Sequence, residues 1–222
     1  MNEIGNRKWI IAIVAIVILI IALFVFKPWE SQITSVEIGD QMWMVENLNV
    51  TQFANGDIIP EAATTEEWQK AGELGKAAWC NYENDPENGE IYGKLYNWYA
   101  VADPRGLAPK GWHVPDNAEW SALTSFLGGE EVAGGKLKAA GTDHWLTPNS
   151  EATNESGFTA LPGGYRTHLG TFKDLTDYAG WWSSTEYSTT LASSRDINHS
   201  YNVLNRYIDS KPAGFSVRCL KN

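Results

Sequence analysis

The feature that most constrains this chain is an uninterrupted apolar run near its start, WIIAIVAIVILIIALFVF, from Trp9 to Phe26. Its eighteen residues would form a helix of about 27 Å at 1.5 Å per residue, just enough to cross the hydrocarbon core of a bilayer. A cleavable signal peptide has a shorter apolar core and a small-residue cleavage site, whereas this run ends in KPWE. We therefore expect residues 9–26 to form an uncleaved transmembrane signal anchor rather than a buried core helix.

The charges beside this run indicate its orientation and divide the chain. Arg7 and Lys8 precede it and Lys27 alone follows closely, which favours a cytoplasmic tail at residues 1–8. Residues 27–33 would be a linker and residues 34–222 a single exported domain, periplasmic or extracellular. Beyond Lys27 the chain carries 26 acidic and 14 basic residues, a net charge of −12. This excess of negative charge argues against nucleic acid and anionic lipid surfaces as partners of the domain.

Two cysteines, Cys80 and Cys219, are the whole thiol content of the chain. Roughly 190 exported residues suffice to bury a core without a metal or a disulfide. An oxidising compartment would permit a disulfide between the two cysteines, joining early and late parts of the domain. The alternative is two buried free thiols, and the sequence leaves both open.

Local patterns predict a strand pair and a helix at the start of the domain. The segment TSVEIGDQMWMVENLNV alternates apolar and polar residues around Gly39 and Asp40, which indicates a hairpin with glycine first in a two-residue turn. In TTEEWQKAGELGKA, Thr64 and Glu67 have the spacing of a capping box, and two glycines follow as stop signals. This second segment predicts a short helix.

The next two segments are predicted as a loop and a helix. NYENDPENGE, residues 81–90, is rich in oxygen-bearing side chains and turn formers, which is typical of a loop. In IYGKLYNWYAVA, the large residues recur every three or four positions, and they are Tyr92, Leu95, Tyr96 and Tyr99. This spacing predicts a helix with a buried aromatic face, for which a place in the core is a better interpretation than a cofactor site.

The stretch APKGWHVPDNAEW, residues 108–120, predicts a short strand at WHV followed by a helix. Asp116 and Glu119 form an Asp-x-x-Glu variant of the capping box. The helix would end at two consecutive glycines, Gly128 and Gly129. Its expected buried face consists of Trp120, Leu123, Phe126 and Leu127.

Beyond Lys138 the chain is divided by glycines into short segments that read as antiparallel strands joined by turns. They are GFTALPGGYR, GTFKD, AGWWSSTEY, ASSRDIN, YNVLNRYID and GFSVRCLK. Helices gather in the first half and strands in the second, with a strand pair at the start. The predicted class is therefore α+β.

Six motifs carry a family resemblance, and in order they are YGKLYNWYAV, PKGWHVPDNAEW, LGGEEVAGGKLK, SGFTALPGGYR, GWWSST and GFSVRC. With these motifs the chain resembles the Fibrobacter succinogenes major paralogous domain family, from about Val36 to Leu220. The resemblance implies a C-type-lectin-like fold, in which short helices pack on an irregular antiparallel sheet whose first and last strands lie close together.

The same resemblance implies export to a bacterial cell surface or envelope, and it transfers no catalytic residue. One departure concerns the thiols. Many members carry a cysteine just before the proline of the PxGWHVP motif, where this chain has Ala108. If that cysteine pairs with the one in the GFSVRC motif, Cys219 has no such partner here, which weakens the case for a bridge to Cys80.

His113 is the histidine most suggestive of chemistry, because it lies between Trp112 and Val114 in a family motif. A general base needs a partner and a nucleophile, and the sequence contains no H-E-x-x-H, G-x-S-x-G, P-loop or C-x-x-C motif. We expect a structural role for His113, with one ring nitrogen bonded to the backbone. The other histidines, His144, His168 and His199, have no metal-ligand spacing and are expected to face solvent.

The acidic loop at residues 81–90 offers hard oxygen ligands suited to calcium, with Asp85, Glu87 and Glu90 as candidates. Its spacing does not fit an EF-hand, and a solvated acidic loop without a cofactor is the preferred interpretation.

Aromatic residues of two motifs are the best candidates for ligand binding, together with one arginine. Flat aromatic rings stack on sugar rings, and aromatic residues with arginine also suit protein interfaces. Alternation along a strand would place Trp182 in the core and leave Trp181 exposed on the opposite face. The predicted ligand-binding residues are Trp181, Tyr187, Tyr165 and Arg166.

Three functions are compatible with the sequence. The favoured one is a membrane-anchored, non-catalytic binding module that recognises a glycan or an envelope protein. The second is an enzyme, because lectin-like folds include the formylglycine-generating oxidases, which act through active-site cysteines. The third is a purely structural envelope protein. The reactivity of Cys80 distinguishes redox chemistry from the other two functions.

Overall fold

The computed structural model describes residues 33–222, and its residues 34–222 form one compact unit. The predicted cytoplasmic tail and signal anchor, residues 1–26, lie outside the described residues. Within the described part, none of the helices has the length and apolarity that crossing a bilayer requires.

The domain consists of two sheets rich in antiparallel pairs and of short helices, the α+β class that the sequence predicts. The strands are β1 (Ser35–Ile38), β2 (Gln41–Met44), β3 (Trp79–Cys80), β4 (Leu95–Asn97), β5 (Trp112–His113), β6 (Gly163–Arg166), β7 (Phe172–Leu175), β8 (Tyr178–Glu186), β9 (Leu191–Asn198), β10 (Asn205–Ser210), β11 (Gly214–Phe215) and β12 (Leu220–Lys221). The α-helices are α1 (Thr65–Glu73), α2 (Pro86–Tyr92), α3 (Trp98–Val101), α4 (Asn117–Phe126) and α5 (Glu130–Leu137), and a 3₁₀ turn spans Tyr82–Asn84.

The smaller sheet joins the two ends of the domain. Its strand order is β1-β2-β12-β5, so the last strand pairs with the opening hairpin. Trp43 in β2 faces both Val36 in β1 and Leu220 in β12. At the hairpin turn Gly39 has a φ of +63°, a left-handed conformation that glycine adopts without strain. The predicted hairpin and the proximity of the first and last strands are both confirmed.

The larger sheet has eight strands in the order β10-β9-β8-β6-β11-β4-β3, with β7 paired to β6. Its longest ladder joins β8 to β9, and β10 extends it antiparallel at one edge. The pair β6 and β8 is parallel, whereas the other pairs of this sheet are antiparallel. The strands predicted in the second half of the chain are therefore present.

Two helices begin at the capping boxes that the sequence predicts. The Thr64 side chain accepts a hydrogen bond from the Glu67 backbone N–H, and the Glu67 carboxylate accepts one from the Thr64 N–H. Asp116 and Glu119 make the same reciprocal pair at the start of α4. Each box satisfies two donors that a helix start leaves unpaired, so the two signals can be read from local sequence.

The segment between residues 85 and 99 differs from its prediction. The expected loop contains α2, which Asp85 caps and Pro86 begins at the first helical position. The expected aromatic helix is broken at Gly93, whose φ is +76° and where a Cβ would lie 2.8 Å from Cβ of Asn47. Leu95 and Tyr96 therefore belong to strand β4. Strand pairing with β3 and β11 overrides the helical spacing of these residues.

Helix α4 buries most of the face predicted for it, but Phe126 is 64% exposed. Its ring lies beside the hairpin turn, where a Cβ on Gly39 would come within 2.9 Å of it. The helix that follows, α5, is not among those predicted. It contains Gly134 and Gly135, where a Cβ would lie 2.5–2.7 Å from the backbone oxygens of neighbouring loops. This close approach explains glycines inside a helix, where they otherwise cost stability.

Hydrophobic residues pack on both faces of the larger sheet. Trp182 belongs to the cluster on one face, together with Phe215 and Cys219. Trp181 belongs to a second cluster on the opposite face, against Trp120 and Phe158. A third, smaller cluster surrounds Trp68, Cys80 and Tyr82.

A buried arginine joins the opening hairpin to the end of the chain. Arg218 is 1% exposed, and its guanidinium donates to the backbone oxygens of Met44, Val45 and Phe158. Its Nε and Nη2 also donate to Asn47 Oδ1 at 3.0 and 2.8 Å, and Trp181 Nε1 donates to the same oxygen at 2.9 Å. These acceptors are neutral, so the charge of Arg218 is held by hydrogen bonds and by the Phe158 ring, 4.2 Å from the guanidinium carbon.

We predict that Arg218→Lys destabilises the domain strongly. A lysine has three donors on a point charge and cannot reach all the acceptors of the planar guanidinium, so buried oxygens lose their partners. The expected loss is about 3 kcal/mol or more, or roughly 6–12 °C in Tm. Arg105→Lys is the matched control, because Arg105 is 38% exposed and its pairs with Asp57 and Asp103 lie at the surface. Equal losses of Tm in both variants would contradict this assignment.

Candidate functional site

Five residues near one edge of the larger sheet form what we term the acidic tyrosine face, and they are Tyr165, Tyr178, Asp196, Tyr207 and Asp209. Strand register explains their position. Gly180, Asp196 and Asn205 lie opposite one another across β8, β9 and β10. Two residues before Asp196 in β9, Ser194 lies opposite Tyr207 of β10. Directly opposed residues of antiparallel strands point to the same side of the sheet, so these side chains share one surface.

Aromatic rings form the floor of this face. Tyr165 stacks on buried Phe215 with ring centroids 5.6 Å apart and an interplanar angle of 28°. Tyr178 lies 5.3 Å from Tyr165 and 6.4 Å from Phe215, and Trp182 meets Phe215 edge-on at 4.8 Å. The face is therefore continuous with the main hydrophobic cluster. Tyr165 and Tyr178 are half-buried, whereas Tyr207 is 53% exposed.

A glycine allows one of these rings to lie flat on the sheet. A Cβ at Gly180 would come within 2.6 Å of the Tyr178 ring and 2.8 Å of the Phe215 ring. Real side chains do not tolerate such distances, so glycine is required there. Gly180 pairs with Asp196, and the Tyr178 ring consequently lies beside this carboxyl group.

Asp196 is the most unusual residue of the face. It is 6% exposed, and its Oδ1 atom has no hydrogen-bond partner in the structure. Burial raises the pKa of Asp196 from 3.8 to about 7, and the nearby charge of Asp209 adds to this rise, with contact to Asn205 as a partial offset. A buried polar atom without a partner costs stability, and together with the raised pKa it makes this carboxyl group a candidate functional residue.

Asp209 is the second carboxyl group of the face. It accepts a hydrogen bond from the Ser194 hydroxyl, yet burial still raises its pKa. Neither carboxyl group belongs to an ion pair within residues 33–222. Arg195 and Arg206 lie opposite each other and alternate to the other side of the sheet. Lys211, two residues after Asp209, pairs with Glu186 instead.

The predicted exposure of Trp181 is wrong. Trp181 and Trp182 do point to opposite faces, as alternation requires, but both are fully buried at 0% exposure. Helix α4 and its neighbours cover the face that was expected to be free, because the cluster around Trp120 packs there. Trp181 therefore cannot contact a ligand without local opening of the core.

Arg166 is also buried, contrary to its predicted role as a ligand-binding residue. Arg166 is 1% exposed, and its guanidinium donates to the backbone oxygens of Ala62, Ala63 and Gly170. The side chain is held between the rings of Trp68 and Phe172, at 4.7 and 4.6 Å. Its hydrogen bonds serve the fold, in the same manner as those of Arg218.

The other two predicted ligand-binding residues, Tyr165 and Tyr187, are accessible. Tyr165 is part of the acidic tyrosine face, whereas Tyr187 follows β8 and is 62% exposed. Sequence reasoning did not select Tyr178, Asp196, Tyr207 or Asp209. A signal was present, because aspartate is disfavoured within strands and ASSRDIN and NRYID each carry one.

The calcium candidates do not form a ligand cluster. Asp85 accepts the Glu87 backbone N–H as the cap of α2, which uses one of its carboxylate oxygens. Within the described part of the chain, no three acidic, histidine or cysteine side chains converge as metal ligands would.

The two cysteines are separate, buried free thiols in this structure. Cys80 lies in the cluster with Trp68, whereas Cys219 lies in the main cluster, which also contains Ala108. Burial raises the pKa of Cys80 to about 11 and that of Cys219 to about 12. Both thiols are therefore protonated at neutral pH, the unreactive form for redox chemistry.

His113 forms hydrogen bonds with two side chains, whereas a hydrogen bond to the backbone was predicted. Its Nδ1 lies 2.7 Å from Asn222 Oδ1 and its Nε2 lies 2.8 Å from Glu119 Oε1. Glu119 also closes the capping box of α4. The ring thus links the start of this helix to the end of the chain.

His199 is half-buried rather than solvent-facing, in a hydrogen-bonded chain with Asp177 and Ser200. A carboxylate, an imidazole and a hydroxyl group in this order also occur in serine hydrolases. In those enzymes backbone N–H donors must face the reacting carbonyl as well. Here the N–H groups of Ser200 and Tyr201 both donate to Asn198 Oδ1. They are occupied in closing the turn after β9.

These features define an α+β domain whose ends meet in one sheet and whose second sheet carries an acidic, aromatic surface. The chain belongs to the Fibrobacter succinogenes major domain family, which matches residues 36–221. No curated protein and no solved structure matches it.

We predict that Asp196→Asn stabilises the domain above neutral pH. Between about pH 4 and 7 the folded state keeps the Asp196 proton that the unfolded chain releases, so this residue makes the folded state less stable as the pH rises. Asparagine removes this effect, with an expected gain of about 1–3 kcal/mol at about pH 8 that disappears toward about pH 4. Thermal melting across this range measures it. The exposed Asp143→Asn should show no such trend, and a parallel trend in both variants would contradict the prediction.

The burial of both free cysteines predicts that neither thiol reacts in the folded domain. Iodoacetamide should label neither cysteine in the native domain and both after denaturation without a reductant, as counted by mass spectrometry. Glutathione in the same solution controls for reagent activity. Labelling of native Cys80 would favour thiol chemistry, and failure to label either cysteine after denaturation would indicate a disulfide.

Proposed function

We propose that this protein is an exported, membrane-anchored binding module of C-type-lectin-like fold that recognises a glycan through the acidic tyrosine face, without catalysing a reaction. The single observation that carries the proposal is the nearly buried carboxyl group of Asp196, with an unpartnered oxygen beside the tyrosine rings.

The chemistry of the face suits carbohydrate. Tyrosine rings offer flat apolar surfaces for the C–H faces of sugars, and their hydroxyl groups add polar contacts. Carboxylate oxygens accept hydrogen bonds from sugar hydroxyl groups, and Asp196 Oδ1 has such a capacity free. Tyr207 is the exposed ring that a sugar would meet first.

The fold and the start of the chain support the remaining parts of the proposal. Pairing of the last strand with the opening hairpin is the loop-closed arrangement expected of a lectin-like domain. The apolar run Trp9–Phe26 is the basis for the anchor and for an envelope location, with the domain outside the cytoplasm. The protonated, buried thiols favour binding over an oxidase that uses cysteines.

An envelope protein is a second candidate partner, favoured by one observation. Strand β10 is an edge of the larger sheet, and it carries Tyr207 and Ile208, 53% and 42% exposed. An exposed edge can accept a further strand from a partner.

We predict that the purified full-length chain, kept in mild detergent, binds a member of a broad polysaccharide panel in a saturable manner. Tyr207→Ala should weaken this binding about tenfold or more, because it removes a stacking ring at a cost of about 1.4 kcal/mol or more. Calcium and chelator should give equal binding.

Phe126→Ala is the matched control, since it also removes an exposed aromatic ring but lies on α4, which packs on the opposite side of the sheet. Tyr187→Ala shows whether the following loop extends the site. Loss of binding in Phe126→Ala but not in Tyr207→Ala would place the site elsewhere. Binding to no glycan, with capture of an envelope protein that Tyr207→Ala abolishes, would replace the glycan by a protein partner.

A further inference from the structure

The acidic tyrosine face combines two negative groups with aromatic rings. Asp196 and Asp209 have no ion-pair partner among residues 33–222, and Arg195 and Arg206 point away from them. Lys173 lies opposite Tyr165 on the same surface, but it forms no ion pair with either carboxyl group. Proteins ordinarily pair buried carboxylates with a cation or with several donors. This face presents the acceptors and leaves the donor to be supplied.

The unpartnered atom shows where such a donor would bind. Asp196 is only 6% exposed, and its Oδ1 atom accepts no hydrogen bond. Backbone groups of β9 are engaged on both sides, by β8 and by β10. Asn205, opposite Asp196, contacts the carboxyl group, but no donor of the described residues reaches Oδ1. This oxygen can therefore accept a hydrogen bond from a group outside the chain.

The surrounding rings favour a positively charged donor over a neutral one. The Tyr178 ring covers Gly180, which pairs with Asp196. Tyr207 lies on the same surface, opposite Ser194. The faces of tyrosine rings attract cations, and carboxylates attract them more strongly. Asp209 lies on the same surface, where its charge opposes that of Asp196, and a bound cation would relieve this repulsion.

We infer that the glycan bound by this face carries free amino groups, so that a protonated sugar amine donates to Asp196 Oδ1 while the adjoining rings of the oligosaccharide stack on Tyr207 and Tyr178. This inference rests on the proposed function and specifies its ligand as an amino sugar without N-acetyl groups. Acetylation would remove the positive charge and add bulk at the atom that should approach the buried carboxylate. The face would thus distinguish two forms of one polysaccharide.

The test compares two probes of equal length and linkage, a β-1,4-linked glucosamine oligomer and its fully N-acetylated counterpart. Isothermal calorimetry with the full-length chain in mild detergent, at neutral pH, should show the glucosamine oligomer binding at least about tenfold more tightly. In Asp196→Asn this preference should disappear, with the affinity for the N-acetylated oligomer unchanged. Asp209→Asn should reduce the preference in part.

Matched controls exclude a general effect of charge, because the exported part of the chain is strongly acidic. Asp143→Asn also removes one acidic residue, at an exposed position outside the face, and it should keep the full preference. Thermal melting of each variant confirms that it is folded before its affinity is compared.

The outcomes separate this inference from the proposed function. Equal affinity for both oligomers, or a preference that persists in Asp196→Asn, would overturn the inference and leave glycan binding intact. If neither oligomer binds but another glycan of the panel does, the inference falls alone. If no glycan binds and polylysine binds in an Asp196-dependent manner, the glycan is replaced by a basic polypeptide and both proposals fall.

Discussion

The domain depends on one buried cation, Arg218, and on the acceptors that the opening hairpin holds around it. Asn47 receives hydrogen bonds from Arg218 and Trp181, so a single amide oxygen connects the hairpin, the last motif of the chain and the centre of the larger sheet. A guanidinium in an apolar core is stabilised by hydrogen-bond partners for its donors. The opening hairpin and the last strand of the domain must therefore come together before the core is complete.

Local signals predicted the parts of the fold that local interactions determine. The boxes at Thr64 and Asp116 are reciprocal hydrogen bonds over four residues, and the turn at Gly39 requires only a left-handed φ. The stretch around Tyr96 was predicted wrongly because its spacing fits a helix while strands distant in sequence decide its conformation. In the site, Tyr165 was found from a motif. Asp196 could not be placed, because its burial and its missing partner arise from the register of three strands.

Asp196 lies beside Tyr178 and on the same surface as Tyr207, with a buried carboxyl oxygen that has no partner. A buried carboxyl group with a raised pKa is a candidate functional residue on physical grounds. Arg166 and Arg218 show the contrasting arrangement, since their guanidinium groups are surrounded by backbone oxygens that stabilise the fold.

The smaller sheet has a consequence for how the domain can be combined with other segments. Val36 and Leu220 flank the same residue, Trp43, so the first and last strands lie two strands apart, about 10 Å, and run parallel to each other. The chain therefore enters the domain at one end of this strand pair and leaves it at the other, in the same direction. Such a domain fits in line between a preceding and a following segment, whereas insertion into a tight surface loop would need a linker that runs back along the strands.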